Sequence, residues 1–267
     1  MSSGPAAAPD VDGTARNGDF VQSLERGLAV LGAFSQDHPA LTLSDVARRT
    51  GLTRATARRL LLTFASLGYM GTDGRQFELT PKVLDLGYAY LSSLGIGEIA
   101  QPSMEALSEQ VHESVSVAVL DGDEIVYVAR VPTKRIMTIS LSLGSRLPAV
   151  TTSMGRVLLA DLGPGELGAF LDRVQPQART ERTITDVGEL RDALAEVRRQ
   201  GFALVDQELE DGVRSIATAL RDRRGRAVAA INVSTHAGRV SLKELRTTFL
   251  PALLSTAAEI NARLAKR

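Results

Sequence analysis

The feature that most constrains the chain is the stretch from Leu41 to Leu79, LTLSDVARRTGLTRATARRLLLTFASLGYMGTDGRQFEL, where helix signals, stop signals and a turn signal follow closely on one another. Ser44 is placed to cap a short helix, Asp45 suits its positive end, Val46 and Ala47 face inward, and Gly51 stops it. After the tight TGL connection, Thr53 caps a third helix that reaches about Leu67. TDGR then reads as a hairpin turn between two brief strands. Upstream, FVQSLERGLAVLGAFSQ sets Leu24, Leu28, Leu31 and Ala33/Phe34 at helical intervals, an amphipathic first helix ended by HPA. Helix, short helix, tight turn, helix and hairpin is the order of a winged helix-turn-helix.

On the third helix, at ~100° per residue, Ala57, Leu60, Leu61, Phe64 and Leu67 fall on one side, and Ala55, Arg58, Arg59 and Thr63 on the other. Leu62 lands among the polar residues and is expected to pack against the wing or the preceding helix. The formal net charge of the chain is zero, yet from Val46 to Thr72 there are five arginines (Arg48, Arg49, Arg54, Arg58, Arg59) and no Asp or Glu. Such a local excess is either a solvated helix face or an electrostatic footprint for nucleic acid. The second helix of a helix-turn-helix lies in the major groove, so Thr53, Arg54, Thr56, Arg58 and Arg59 are expected to divide base and phosphate contacts to double-stranded operator DNA. Arg75, at the hairpin tip, is either a wing contact or an exposed turn residue. Arg48 and Arg49 end the preceding helix, where cations suit the dipole in any case.

Beyond the hairpin, LTPKVLDLGYAYLSSLG continues as an amphipathic connecting helix, with Pro81 in its first turn and Gly95 or Gly97 at its end. EIAQPSMEALSEQVHE is helical, and SVSVAVLDGDEIVYVARV is two β-branched runs about an Asp-Gly turn. RIMTISLSLG adds a strand, TTSMGRVLLADLG and VGELRDALAEVRRQG are helices, FALVD is a strand, and SIATALRDRRGRAVAAINVS is a second hairpin before a C-terminal helix. The pattern is α+β: a winged helix-turn-helix over 20–80, a linker helix over 81–97, and a mixed sheet flanked by helices over 98–267. Residues 1–19, rich in Gly, Pro, Ala and Asp, read as a disordered segment.

Composition removes several function classes. There is no Cys, so disulfides, thiolate metal sites and a cysteine nucleophile are out. His38, His112 and His236 lie far apart with no carboxylate at ligand spacing, so neither metal nor cofactor is expected. No nucleophile elbow, phosphate loop or glycine-rich dinucleotide fingerprint occurs, and no catalytic residue is assigned. With no signal-peptide pattern and no window of membrane-spanning length, the expected setting is cytoplasmic, away from membranes.

The winged-helix segment, LSLGSRLPAVTTSMGRVLLADL and VDQELEDGVRSIATAL together resemble the IclR family of bacterial transcription regulators, over nearly the whole chain from Phe20. Within it, GLTRATARR, VYVARVPTKRIM, TTSMGRVLLA and VDQELEDG are similar to the branch that regulates protocatechuate and 4-hydroxybenzoate catabolism, the Pca/Pob regulators. The resemblance implies a DNA-binding winged helix, a dimerising connecting helix, a GAF-like C-terminal domain that binds a small organic or aromatic acid, and assembly as a homodimer or a dimer of dimers. Protocatechuate, 4-hydroxybenzoate and β-ketoadipate are the effectors it supplies.

Residue by residue, Thr151, Thr152 and Ser153 put hydroxyls and free amides at a helix start, where a carboxylate is stabilised. By resemblance Ser153 and Met154 line the effector pocket, and the family more often has Lys where this chain has Arg156. Asp206, Gln207 and Glu208 follow one strand, while Asn232 and Ser234 share a side of a later strand by alternation. They either satisfy local backbone or border the ligand, as the corresponding family positions do. Arg130 and Arg135 are either carboxylate anchors or surface ion-pair partners. The competing reading is an enzyme acting on an organic acid, with the winged helix as an interaction module.

Overall fold

A computed structural model of the chain describes residues 20–35, 37–133 and 141–266. It divides into two compact units between Tyr90 and Leu91. The expected disorder of 1–19, most of the RIMTISLSLG strand and Arg135 lie outside the described residues.

The first unit runs α1 (Gln22–Leu31), β1 (Ala40–Thr42), α2 (Leu43–Thr50), α3 (Arg54–Ser66), β2 (Met70–Thr72) and β3 (Gln76–Leu79). The cap of α2 is Thr42, not Ser44. Its hydroxyl accepts from the Asp45 amide at 3.3 Å while the Asp45 carboxylate accepts from the Thr42 amide at 3.2 Å, a reciprocal capping box. Gly51, at φ 67°, ends the helix in the left-handed conformation. Thr53 caps α3 through the Thr56 amide. Val30, Phe34, Leu41, Val46, Ala57, Leu61, Met70 and Phe77 form the core.

Two features differ from the sequence reading. The wing is three-stranded, in the order β1-β3-β2, because Leu41 pairs with Phe77 and both side chains are buried; a three-residue strand is too short to show alternation. In α1 the side that faces the core is Gly27 and Val30, leaving the expected stripe residues Leu24 and Leu28 62% and 57% exposed. On α3, Leu62 is 40% exposed and thus partly covered, and Leu67 is 52% exposed.

A short 3-10 turn (Pro81–Val83) leads into α4 (Leu84–Leu94), and the chain breaks at Gly95, φ 57°, before α5 (Ile96–Val111). The second unit continues with β4 (Ser114–Asp121), β5 (Glu124–Val131), β6 (Arg146–Pro148), α6 (Ser153–Asp161), α7 (Pro164–Arg173), α8 (Val187–Gln200), β7 (Phe202–Asp206), β8 (Val213–Arg221), β9 (Ala227–His236), α9 (Leu242–Glu244) and α10 (Leu250–Leu264). Its six-stranded sheet, in the order β6-β5-β4-β9-β8-β7, is antiparallel at every pairing rather than mixed. Tight turns join β4 to β5 and β8 to β9, and such turns force antiparallel neighbours. The side of the sheet packed on α5 and α10 buries Met104, Leu107, Val115, Val117, Ile216, Ile231 and Leu253. The side packed on α6 and α8 buries Tyr127, Met154, Leu159, Leu190 and Leu194.

Candidate nucleic-acid face and ligand pocket

The start of α3 is fixed by its cap, with the Thr53 and Thr56 hydroxyls 3.0 Å apart. From this start Arg54, Arg58 and Arg59 project as exposed side chains. Among the described residues none of the three has an ion-pair partner, whereas Arg48 is held by Asp45 at 2.6 Å. Arg75 is exposed at the hairpin tip, where Asp73 Oδ1 accepts from the Gln76 and Arg75 amides at 2.7 and 2.8 Å. Those backbone donors hold the Asp73 carboxyl below the usual carboxylate range. The helix that follows the tight turn thus carries positive charge that nothing nearby compensates, the condition for phosphate binding and for reading guanine edges.

In the second unit the cross-strand register builds a polar floor. Arg130 lies opposite Ser116, Ser116 opposite Asn232, Asn232 opposite Ala217, and Ala217 opposite Ala203. The next row on the same face is Ser114, Ser234, Ser215 and Val205. Small side chains along both rows leave space above the sheet. Asn232, Ser234, Ser215, Tyr127 and Val205, with Thr151 and Thr152 before α6, Leu141, Leu209 of the β7–β8 connection and Val213 at the start of β8, line a cavity of about 30 Å³. That is room for one or two waters, so a ring-sized acid enters only if the walls part.

Among the described residues, buried polar atoms without a hydrogen-bond partner gather on this face: Arg130 Nε, Ser153 Oγ and Asn232 Oδ1. Thr235 Oγ1 shares that state on the opposite face. Burial pushes the Tyr127 phenol up to about 12, the Arg130 guanidinium pulling the other way. The same desolvation lowers Arg130, with Tyr127 opposing. Thr152 caps α6 through the Gly155 amide at 3.1 Å, which leaves the first amides of the helix without intrahelical acceptors. A Cβ on Gly155 would lie 2.1 Å from the Ala149 carbonyl oxygen, so only glycine lets this turn approach so closely.

The residues expected at the pocket therefore separate. Asn232 and Ser234 line it, and Ser153 and Arg130 present unpaired atoms on the same side of the sheet. Met154 is fully buried in the hydrophobic core. Asp206 alternates with Val205 and so points to the other face, where Arg214 and Arg182 hold it in ion pairs. Burial alone would raise its carboxyl, but the Arg214 hydrogen bond and charge bring it below the usual range. Glu208 is buried in a two-pronged pair with Arg156 and is not free for a ligand. Tyr127, Ser116 and Ser215 were missed, although SVSVAV, with the small residues Ser114, Ser116 and Ala118 at every second position of a buried strand, was a legible sign of a small, partly polar face.

Among the described residues no cluster of His, Cys, Asp or Glu could hold a metal ion, and no helix is long and apolar enough to cross a membrane. A helix-turn-helix with uncompensated arginines, followed by an α+β unit with a polar-floored pocket, defines a ligand-responsive DNA-binding protein. The chain belongs to the IclR family: residues 23–74 match the IclR helix-turn-helix domain, and residues 88–262 match the C-terminal domain of the bacterial transcriptional regulator IclR. It is 47% identical to the Pca regulon regulatory protein of Pseudomonas putida over 91% of this chain and 84% of that protein. A solved structure from Rhodococcus sp. RHA1, 55% identical, superposes with a TM-score of 0.84 over 92% of this chain and 99% of that one. An IclR homolog of Microbacterium hydrocarbonoxydans complexed with 4-hydroxybenzoate, 27% identical, gives 0.80 over 91% and 98%. These relatives make the chain a transcription regulator, and the enzyme alternative is set aside.

Proposed function

We propose that this chain binds operator DNA as a homodimer through the α3 face and controls aromatic-catabolism genes in response to an aromatic acid held over the polar floor. The observation that carries the ligand half is the set of unpaired buried atoms at Arg130, Ser153 and Asn232, which a carboxylate and a hydroxyl would satisfy together. The identity to a Pca regulon regulator and the likeness to a homolog that holds 4-hydroxybenzoate support the same chemistry. Arg130, Ser153, Asn232 and Ser234 are the ligand contacts in this reading; Thr53, Arg54, Thr56, Arg58, Arg59 and Arg75 are the DNA contacts. Exposed Leu24 and Leu28, at a groove of about 660 Å³ also lined by Leu31, Leu60, Phe64, Tyr69 and Leu86, supply an apolar face for the second copy.

The test uses an operator selected from random duplex DNA. Replacing Arg58 and Arg59 by Ala should weaken binding and flatten the salt dependence by about 0.9 in log–log slope for each phosphate that is no longer neutralised. Calorimetric titration with 4-hydroxybenzoate, protocatechuate and β-ketoadipate should find one that binds, with Asn232→Ala reducing its affinity. An unchanged salt slope would refute the DNA face, and binding of none of the acids would refute the effector class.

A further inference from the structure

Arg156 and Glu208 are 4% and 7% exposed and lie 52 positions apart in the chain. Neither lines the cavity, yet each is adjacent to residues that do. Arg156 Nε donates to the Val150 carbonyl at 2.9 Å, one residue before Thr151 and Thr152. Its Nη1 donates to Glu208 Oε1 at 2.7 Å and its Nη2 to Oε2, and Glu208 directly precedes Leu209. One planar guanidinium thus ties together two parts of the cavity wall that are distant in sequence.

The Glu208 side is fastened at several points. Its Oε2 accepts from the Ile184 amide at 3.3 Å, its carbonyl from Thr183 Oγ1 at 2.7 Å, and the Gln207 carbonyl from Thr180 Oγ1 at 2.6 Å. Gln207 sits at φ 63°, donates its amide to the Val213 carbonyl at 2.8 Å, and accepts the Gly212 amide on its own side chain at 3.0 Å. The α6 side is closely packed at its start, where Gly155 rests against Ala149 without room for a Cβ. Across the cavity, segment 207–213 is joined to α6 through the Glu208 carboxylate on Arg156.

We propose that the Arg156–Glu208 pair is the positioning element of the effector site: it holds segment 207–213, with Leu209 and Val213, against the start of α6, and so sets which acids fit. The proposal rests on the reading of this cavity as the effector's. It makes both residues positioning residues, acting through the wall and not by touching the ligand. A pre-set wall spares the ligand the cost of ordering it, so losing the tether weakens binding and blurs selectivity together.

The test compares the full-length protein with the paired apolar variant Arg156→Met/Glu208→Leu, which leaves no buried charge unpaired, and with Arg156→Lys, which keeps the charge but loses the fork. Thermal melts check folding. Titrations with 4-hydroxybenzoate, 3-hydroxybenzoate and protocatechuate give the affinity ratios, and hydrogen exchange follows residues 207–213. The paired variant should melt cooperatively, bind the preferred acid roughly tenfold more weakly, the size of an ordinary coupling within one network, show narrowed ratios among the acids, and exchange faster over 207–213 but not within α6. Arg156→Lys should fall between. Wild-type ratios in a folded variant, or wild-type exchange over 207–213, overturn the proposal, and if the paired variant fails to fold the lysine variant decides by the same two readings. Should the unaltered protein bind none of the acids, the effector class falls while the exchange measurement still decides the tether.

Discussion

The arginines of α3 and the arginines around the pocket are one residue type in two opposite situations. Arg54, Arg58 and Arg59 stand in water with no acidic partner among the described residues, while Arg156, fully enclosed, and Arg214, largely so, are locked onto Glu208 and Asp206. An exposed guanidinium keeps its hydration and remains free to exchange it for a phosphate. A buried one has shed its hydration and must be satisfied within the fold, or it costs several kcal/mol. Burial, not residue type, separates arginines that read a partner from arginines that hold the structure. Arg130 lies between the two, half-buried with Nε unpaired, the state expected of a group whose partner comes from outside the chain.

Three measurements can break this contrast. The largest effect is expected for Arg156→Ala, which strands the Glu208 carboxylate in the interior: urea unfolding should show a loss of about 4 kcal/mol, and a loss below ~1 kcal/mol would mean that the pair is not a stabilising lock. A smaller effect belongs to Tyr127. Its folded phenol titrates at about 12 against an ordinary value of 10.0. The native state therefore holds this proton more tightly, and stability that is intact below pH ~10 is lost as pH rises toward ~12, by roughly 3 kcal/mol. Tyr127→Phe should remove that alkaline decline, and equal slopes in both proteins would show that the phenol is not desolvated. The smallest effect is expected for Arg58→Ala with Arg59→Ala, whose melting should stay within about 0.5 kcal/mol of the parent, since neither side chain has an ion-pair partner among the described residues. A large loss of stability would mean that these arginines hold the fold after all.

The winged helix was legible because its signals are local. Thr53 as cap, Gly51 as stop and the Asp73-Gly74 turn each act within a few residues, and the structure uses all three. Local reading failed where a partner came from far away. β1 exists only because Leu41 finds Phe77, and the α1 stripe pointed to Leu24 and Leu28 although Gly27 and Val30 face the core. The pocket was half legible. Alternation put Asn232 and Ser234 on one side, but it could not show that Asp206 turns away toward Arg214 or that Glu208 is taken by Arg156. Both pairs close over many residues, and nothing in a one-dimensional pattern tells a carboxylate waiting for a ligand from one already bound.

By itself the sequence determined the helix-turn-helix, the α+β character of the second unit, the uncompensated charge of α3 and the lack of cysteine chemistry. These follow from propensity, periodicity and composition, which neighbouring residues carry among themselves. Only the tertiary structure decided which polar groups face the cavity and which are spent on each other, because hydrogen bonding is settled by desolvation and reach in three dimensions. Among the described residues Arg130 Nε, Ser153 Oγ and Asn232 Oδ1 have no hydrogen-bond partner, while the Glu208 carboxylate does: the antiparallel register sets Arg130 and Asn232 on one small-residue floor, and α6 brings Ser153 to that side and Arg156 onto Glu208.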